Sequence, residues 1–367
     1  MQIALTKKLA DAVEVNLSSE IEDENLLFSW TANWTNVWDN RRTEDMLVLV
    51  NNATRFTVAL YEVKRKDLKK NVAEMISKAI TNTLLSMNIN PELVTEYMRL
   101  AGEVEFTRNR NRQSASWVSK AGLECAFYIG RKYSGTPNMF SDTVGASINY
   151  GIVNVSGKDN EAYFPYEAMI TALSELTGKQ AYQYRAFELL VTLDLTIYKA
   201  VRRIIVPANL EFARLHNILQ SVFDWKNYHL YDFTILGDKM SKPVARLVPF
   251  EEDLEYDTDA LLMRGRILSE FLPKHKHIRY TYDMGDNWEH EIELVRVIEA
   301  HDEESPYLLE ASGQTPPEDV GGVGGFVNFH GSMQNTSHPE YPEMKRWSAY
   351  WTTELREWSQ HPRVIRS

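Results

Sequence analysis

Cysteine is almost absent: Cys125 is the single thiol in 367 residues. One cysteine excludes an intrachain disulfide and any zinc site built on cysteine pairs. Such usage fits a reducing cytosol, so a cytoplasmic location is expected. Cys125 lies in the apolar run 123–129, which predicts a small buried core residue with an inert thiol. No apolar run reaches the roughly 18 residues that a membrane helix needs, and residues 1–10 have no long apolar core. Neither a membrane span nor a signal peptide is expected. An excess of positive charge is also missing. Lys and Arg number 40 against 51 Asp and Glu, a formal net charge of −11, which argues against broad electrostatic coating of nucleic acid and leaves only a local basic patch open. Gly-x-Ser-x-Gly, His-Glu-x-x-His and the phosphate-binding Gly-Lys-Ser/Thr motif are absent as well, so the common hydrolase, zinc-protease and nucleotide-loop signatures do not apply.

What is present is ample material for packed cores. Hydrophobic residues make up 44% of the chain, with 18 Tyr, 14 Phe and 9 Trp, so disorder of the whole chain is excluded. The length suits about two or three domains. In the first, strands are predicted at 2–5, 46–50 and 56–61, the last two joined by the turn residues Asn51, Asn52, Ala53 and Thr54. Thr6 is a candidate N-cap for a helix reaching about residue 15. Apolar spacing predicts helices over 67–87, 91–100 and 118–129. Residues 131–163 are rich in Gly, Ser, Asn and Thr and read as a long irregular excursion with room for a hairpin, and a helix over 165–177 ends at Gly178. The predicted domains are 1–178 and 183–360. The expected fold class is α+β, each domain a small mixed or antiparallel sheet packed with helices.

In the second domain, strands are predicted over 187–197 and 228–236, and a helix over 210–223 capped by Asn209. The clearest local feature is a hairpin over 277–298 with its turn at 284–287. Period-two alternation puts Glu289, Glu291 and Glu293 on a wet face and Trp288, His290, Ile292 and Leu294 on a core face. The acidic stretch 251–259 reads as a solvated segment. A constrained Pro- and Gly-rich loop at 316–325 precedes two helices, 326–334 and about 341–359.

Three segments of this half resemble the plasmid pRiA4b ORF-3-like family, which is also met as a passenger protein of an insertion element. The first is Arg202-Arg203-Ile204-Ile205-Val206-Pro207, continued by Leu215-His216 and by Trp225 with His229-Leu230. The second is Tyr282-Asp283-Met284-Gly285-Asp286-Asn287-Trp288-Glu289-His290. The third runs from Gly313 through Pro316-Pro317-Glu318-Asp319 to Gly325. Val201, Asp224, Met284, Val320 and Phe326 depart from the family pattern. The resemblance covers about 183–360 and implies a compact α+β domain in a mobile-element or defence setting, without bringing a catalytic mechanism. The first half is similar to domain of unknown function 6933 through Thr6-Lys7-Lys8-Leu9, the Trp30 region, Arg41-Arg42 and Asn51-Asn52-Ala53-Thr54.

The candidate site rests on histidines predicted to face inward from neighbouring elements: His216 on a helix, His229 and His290 on strands. Asp283 and Asp286 sit at the hairpin turn, and Glu318 and Asp319 precede the glycines. Imidazole with carboxylate suits a transition metal or a general acid–base pair. The catalytic candidates are therefore His216, His229, His290, Asp283 and Asp286. The metal candidates are His229, His290, Asp283, Asp286, Glu318 and Asp319, holding a divalent ion. The bland alternative is that each histidine is a hydrogen-bonded core residue and each aspartate pins its turn. Arg108, Arg110 and Arg112 form the compact basic run of the first half and are its nucleic-acid candidates, against a solvated loop. Trp30, Trp34 and Trp38 recur every four residues, a pattern of core packing or of a base-stacking platform. Two functions stay open: a binding module for nucleic acid or a protein partner, favoured by the lack of a complete catalytic signature, and a metal-assisted hydrolase of a phosphoester or nucleotide.

Overall fold

A computed structural model describes residues 1–18, 25–37, 44–131, 148–154, 162–237, 243–255, 257, 259–351 and 361–365. The chain forms two compact units, Met1–Gln183 and Tyr184–Ser367. Both mix helices with sheet, an α+β architecture. Among the described residues no helix is long and apolar enough to cross a membrane.

The first unit is built on a mixed sheet of β1 (Gln2–Leu5), β2 (Ser29–Thr35), β3 (Met46–Asn51), β4 (Thr57–Tyr61) and β5 (Glu105–Arg108), in the order β4-β3-β2-β1-β5. β1 runs parallel to both β2 and β5, while β2, β3 and β4 are antiparallel. The unbroken apolar runs of β3 and β4 have a direct cause: every residue of both strands is buried. One face carries Leu47, Leu49, Val58 and Leu60 against the helices Arg65–Ser86, Pro91–Ala101 and Pro165–Thr177. The other carries Val48, Val50 and Ala59 against Val118, Ala121 and Cys125 of the helix Arg112–Arg131. Strands covered on both sides have no wet face to alternate toward.

Local chemistry explains the connections. Asn51 Oδ1 accepts from the backbone N–H of Ala53 and Thr54, closing the predicted turn. Asn90 caps the helix at Pro91, and Gly178 closes Pro165–Thr177 in the left-handed region. The helix expected over 6–15 is only Lys7–Ala10, and the Thr6 hydroxyl donates to Asn33 Oδ1 instead of capping it. The helix expected from residue 118 begins at Arg112. Two short strands, β6 (Val153–Asn154) and β7 (Ala162–Tyr163), pair within the predicted irregular excursion; most of that excursion, and Trp38, lie outside the described residues.

The second unit holds a far larger sheet than the sequence suggested. Its strands are β8 (Tyr184–Asp194), β9 (Lys199–Pro207), β10 (Tyr231–Leu236), β11 (Pro243–Val248), β12 (Leu261–Leu262), β13 (His277–Tyr282), β14 (Trp288–His301), β15 (Tyr307–Ser312) and β16 (Arg363–Val364). Among the described residues their order is β12-β11-β10-β13-β14-β8-β9-β15-β16, with only β11 and β12 parallel. The helix Phe212–Phe223 covers one face with Phe212, Leu215, Leu219 and Phe223. The predicted hairpin is β13–β14, with Trp288, His290, Ile292 and Leu294 buried and Glu289, Glu291 and Glu293 exposed.

Three boundaries expected from the sequence shift here. Asn209 does not cap the helix: Leu210 and Glu211 run extended against 266–268, with Phe212 N–H donating to Arg266 O and Leu268 N–H to Leu210 O. The strand expected from residue 228 starts at Tyr231, leaving His229 in a loop. The expected helix over 326–334 begins earlier, at Gly322. A second helix, Tyr341–Trp351, follows; residues 352–359 of its expected span lie outside the described ones.

Candidate functional site

Three connections of the second unit meet at one end of β10 and β13. The loop 224–230 leaves the helix Phe212–Phe223 with Asp224 and Asn227 at positive φ, 58° and 57°, and delivers His229. The turn 283–287 has Asp283 at φ 57°, its Oδ1 accepting from the N–H of Gly285 at 2.9 Å and of Asp286 at 3.3 Å. The loop 313–321 delivers Glu318 and Asp319 and then turns through Gly321 and Gly322 at φ 90° and 67° into the helix Gly322–Gln334. Gly322 has a strict cause: a Cβ there would meet Asp286 O at 2.5 Å. Asp286 Oδ2 accepts from Gly321 N–H at 3.1 Å, so the hairpin turn and the glycine loop are joined by both backbone and side chain.

At the meeting point His229 Nε2 lies 3.6 Å from Asp283 Oδ2, 3.6 Å from Glu318 Oε2 and 3.3 Å from Asp319 Oδ1. The nitrogen itself is buried and makes no hydrogen bond. His229, Asp283 and Asp319 each offer a ligand atom within 4.8 Å of the others. Exposure is graded across the cluster. Glu318 and Asp283 form a buried floor, His229 is 25% exposed, and Asp319 stands at the rim at 51%. Glu318 is held from behind, Oε1 accepting from Lys226 N–H at 2.6 Å and from the Tyr282 hydroxyl at 3.1 Å. Burial pushes its carboxyl above the ordinary glutamate range, opposed by those two donors. Burial and the Glu318 carboxylate push the Tyr282 hydroxyl well up as well, so it remains a donor. Three carboxylates around one imidazole nitrogen offer oxygen and nitrogen ligands to a divalent cation, which would neutralise charge that water and protein leave crowded.

The expected convergence of three imidazoles does not occur. His216 is buried, with Nδ1 2.8 Å from the Tyr280 hydroxyl and Nε2 2.8 Å from Asn227 Oδ1. Tyr231 stacks on its ring at 3.4 Å. His290 is fully buried, its Nε2 accepting from the Trp225 indole N–H at 3.2 Å and its Nδ1 3.0 Å from Trp288 O. Burial lowers both to about 4. With both ring nitrogens already engaged, neither histidine offers a lone pair to a metal. Asp286 is likewise committed to Gly321. Of the sequence candidates, His229, Asp283, Glu318 and Asp319 come together; His216, His290 and Asp286 are spent on holding the connections that carry them. Sequence reasoning overlooked Tyr282, although Tyr282 sits directly before Asp283 in the hairpin motif.

Arg202 and Arg203, expected from the sequence to pair with acids of their own domain, part company. Arg203 pairs with the buried Glu188, but Arg202 meets backbone carbonyls: Val222 at 2.6 Å, Ser312 at 2.9 Å and Gly313 at 3.1 Å. It is 2% exposed, and burial brings its guanidinium down to about 10. In the first unit, Arg108, Arg110 and Arg112 lie exposed where β5 passes into the helix Arg112–Arg131. Trp30 and Trp34 are buried, their indole N–H groups donating to Tyr97 and Val63. They are core residues and offer no stacking platform. Residues 251–255 form an exposed or half-exposed turn, as the charge run implied.

Comparison with known proteins follows the same division. The profile of the Plasmid pRiA4b ORF-3-like protein family matches residues 185–359, and that of Domain of unknown function (DUF6933) matches residues 2–168. The chain is 38% identical over 158 residues to Uncharacterized protein y4hQ of Sinorhizobium fredii, covering 43% of this chain and 77% of that one. It is also similar to the solved structure of a Protein of Unknown Function, MM3350, from Methanosarcina mazei Go1, with 27% identity, a TM-score of 0.40, and 46% of this chain and 90% of that chain covered.

Proposed function

We propose, from the premise that the chain belongs to the plasmid pRiA4b ORF-3-like family through residues 185–359, that its second unit binds a divalent metal ion and uses it to hydrolyse a phosphoester or nucleotide. The observation that carries the reading is the buried, unbonded Nε2 of His229 facing carboxylate oxygens of Asp283, Glu318 and Asp319 within 3.6 Å. Left empty, such a cluster crowds negative charge at partial burial, which is costly. A cation relieves that cost and is held best where ligands are already convergent. The buried floor and exposed rim leave the ion's outer side to water and substrate. His229, Asp283, Glu318 and Asp319 would hold the ion, and it would supply Lewis-acid activation of water for hydrolysis of the ester.

The test is elemental analysis of protein purified without chelator, followed by turnover of a nucleotide and of a phosphodiester with added Mn2+. One ion per chain, lost in His229→Ala and in Asp319→Asn, is the expected result. A chain without bound metal that binds no Mn2+ overturns the reading. A second reading, nucleic-acid contact by the first unit, is supported by the exposed Arg108, Arg110 and Arg112. It expects salt-sensitive binding of an oligonucleotide that weakens when these arginines are replaced.

A further inference from the structure

We propose that His216, Gln220, Tyr280 and Asn227 form a closed positioning ring whose task is to hold His229 against the carboxylates; the inference rests on the cation-site reading above. His216 and Gln220 stand one helical turn apart on the helix Phe212–Phe223, so they share a face. Gln220 Nε2 donates to the Tyr280 hydroxyl at 2.9 Å, and Gln220 Oε1 accepts from Asn227 N–H at 2.8 Å. His216 bridges the remaining gap, Nδ1 to the Tyr280 hydroxyl and Nε2 to Asn227 Oδ1, both at 2.8 Å.

The ring closes in one direction only. Asn227 Oδ1 has no proton to give, so His216 Nε2 carries the hydrogen. Nδ1 is then bare and accepts from the Tyr280 O–H, which in turn accepts from Gln220. Each of the four hydrogen bonds then has one donor and one acceptor. Such a ring demands one geometry of its members, which an apolar core of equal volume does not.

Its connection to the site is direct. Asn227 lies two residues before His229, and its N–H is one of three consecutive amides caught by side chains. Lys226 N–H goes to Glu318, Asn227 N–H to Gln220, and Tyr228 N–H to Tyr282 at 3.1 Å. Three different elements thus fix the backbone that presents His229. His216, Gln220 and Tyr280 are themselves nearly inaccessible, at 2%, 6% and 0% exposure. What they hold that reaches solvent is the loop 226–229. These four are therefore positioning residues, acting through His229.

The experiment uses the full chain and Mn2+ titrated calorimetrically. Asn227→Gly keeps the positive φ and removes the acceptor oxygen; Asn227→Asp keeps both; Tyr280→Phe removes the hydroxyl at the ring's centre. Asn227→Gly and Tyr280→Phe are expected to weaken Mn2+ binding on the order of tenfold or more, as loss of a residue orienting a metal ligand does. Asn227→Asp is expected to bind at least as tightly as the wild type. If Tyr280→Phe fails to fold, Asn227, exposed on its loop, still decides the matter. Nitrogen-correlated NMR of the imidazoles supplies a readout that simple stabilisation would not set: His216 must be the neutral Nε2–H form. Wild-type binding unchanged by Asn227→Gly, or an Nδ1–H form at His216, overturns the ring. Failure of the wild type itself to bind Mn2+ overturns the cation reading and the inference with it.

Discussion

The indole N–H of Trp225 donates to Nε2 of His290 across 3.2 Å, deep beneath the site. The bond fixes His290 as the neutral Nδ1–H form, which donates in turn toward Trp288 O. It also anchors the first residues of the loop that ends at His229. A motif histidine is thereby explained as a structural acceptor, with no lone pair to spare.

Acid should unfold the second unit through its buried imidazoles. His216 and His290 both fall to about 4, chiefly by burial, below the ordinary value near 6.5. The unfolded chain therefore binds protons first. The stability these groups confer is complete above pH 6.5 and is lost as pH falls toward 4, each contributing a slope of about 1.4 kcal/mol per pH unit. Urea unfolding across that range checks it. His290→Asn should flatten the slope, and an unchanged slope would assign the acid sensitivity elsewhere.

Gly322→Ala should destabilise the second unit by about 1–3 kcal/mol, the usual cost of forcing a non-glycine residue into a sparsely populated backbone region. Positive φ and the 2.5 Å approach to Asp286 O act together there. The shift in urea midpoint measures it, and a neutral outcome would mean that the glycine loop can move off the hairpin turn without loss.

Arg202→Lys should cost about 2–4 kcal/mol despite keeping the charge, because an ammonium cannot fork to carbonyls on two sides and leaves buried acceptors unpaired. Arg202 ties the end of the helix Phe212–Phe223, through Val222 O, to Ser312 and Gly313 at the root of the Glu318 loop. Denaturant unfolding gives the stability loss. A wild-type midpoint would show that the carbonyls find water instead.

Cys125 should resist thiol reagents in the native state. Burial raises its thiol to about 12, so almost no thiolate exists at pH 8, and the side chain is wholly covered. Labelling should follow unfolding of the first unit and accelerate with denaturant. Immediate stoichiometric labelling of native protein would contradict the packing of the helix Arg112–Arg131 on its sheet.

Much of this architecture was legible because local signals are strong where one face is wet. The β13–β14 hairpin announces itself through Glu289, Glu291 and Glu293 alternating with Trp288, His290 and Ile292. The helix Pro165–Thr177 carries its own stop at Gly178. The breadth of the second sheet was not legible, since β15 pairs with β9 and β14 with β8, partners far apart in the chain, and pairing leaves little mark on composition. The site was half legible. Residue type located Asp283, Glu318, Asp319 and His229, but period two placed His229 on a strand, whereas Asn227 at positive φ breaks the extended run before β10. Inward direction alone could not separate a histidine with a spare lone pair from His216 and His290, whose nitrogens are both taken. That distinction depends on Tyr280, Asn227 and Trp225, which come from three separate segments.

The carboxylates and the imidazole of the cluster are supplied by stretches that follow one another late in the chain, at His229, Asp283 and Glu318-Asp319. During synthesis, no partial product that ends before residue 318 owns the whole set. A nascent chain stalled before Asp319 would therefore lack part of the proposed ligand set.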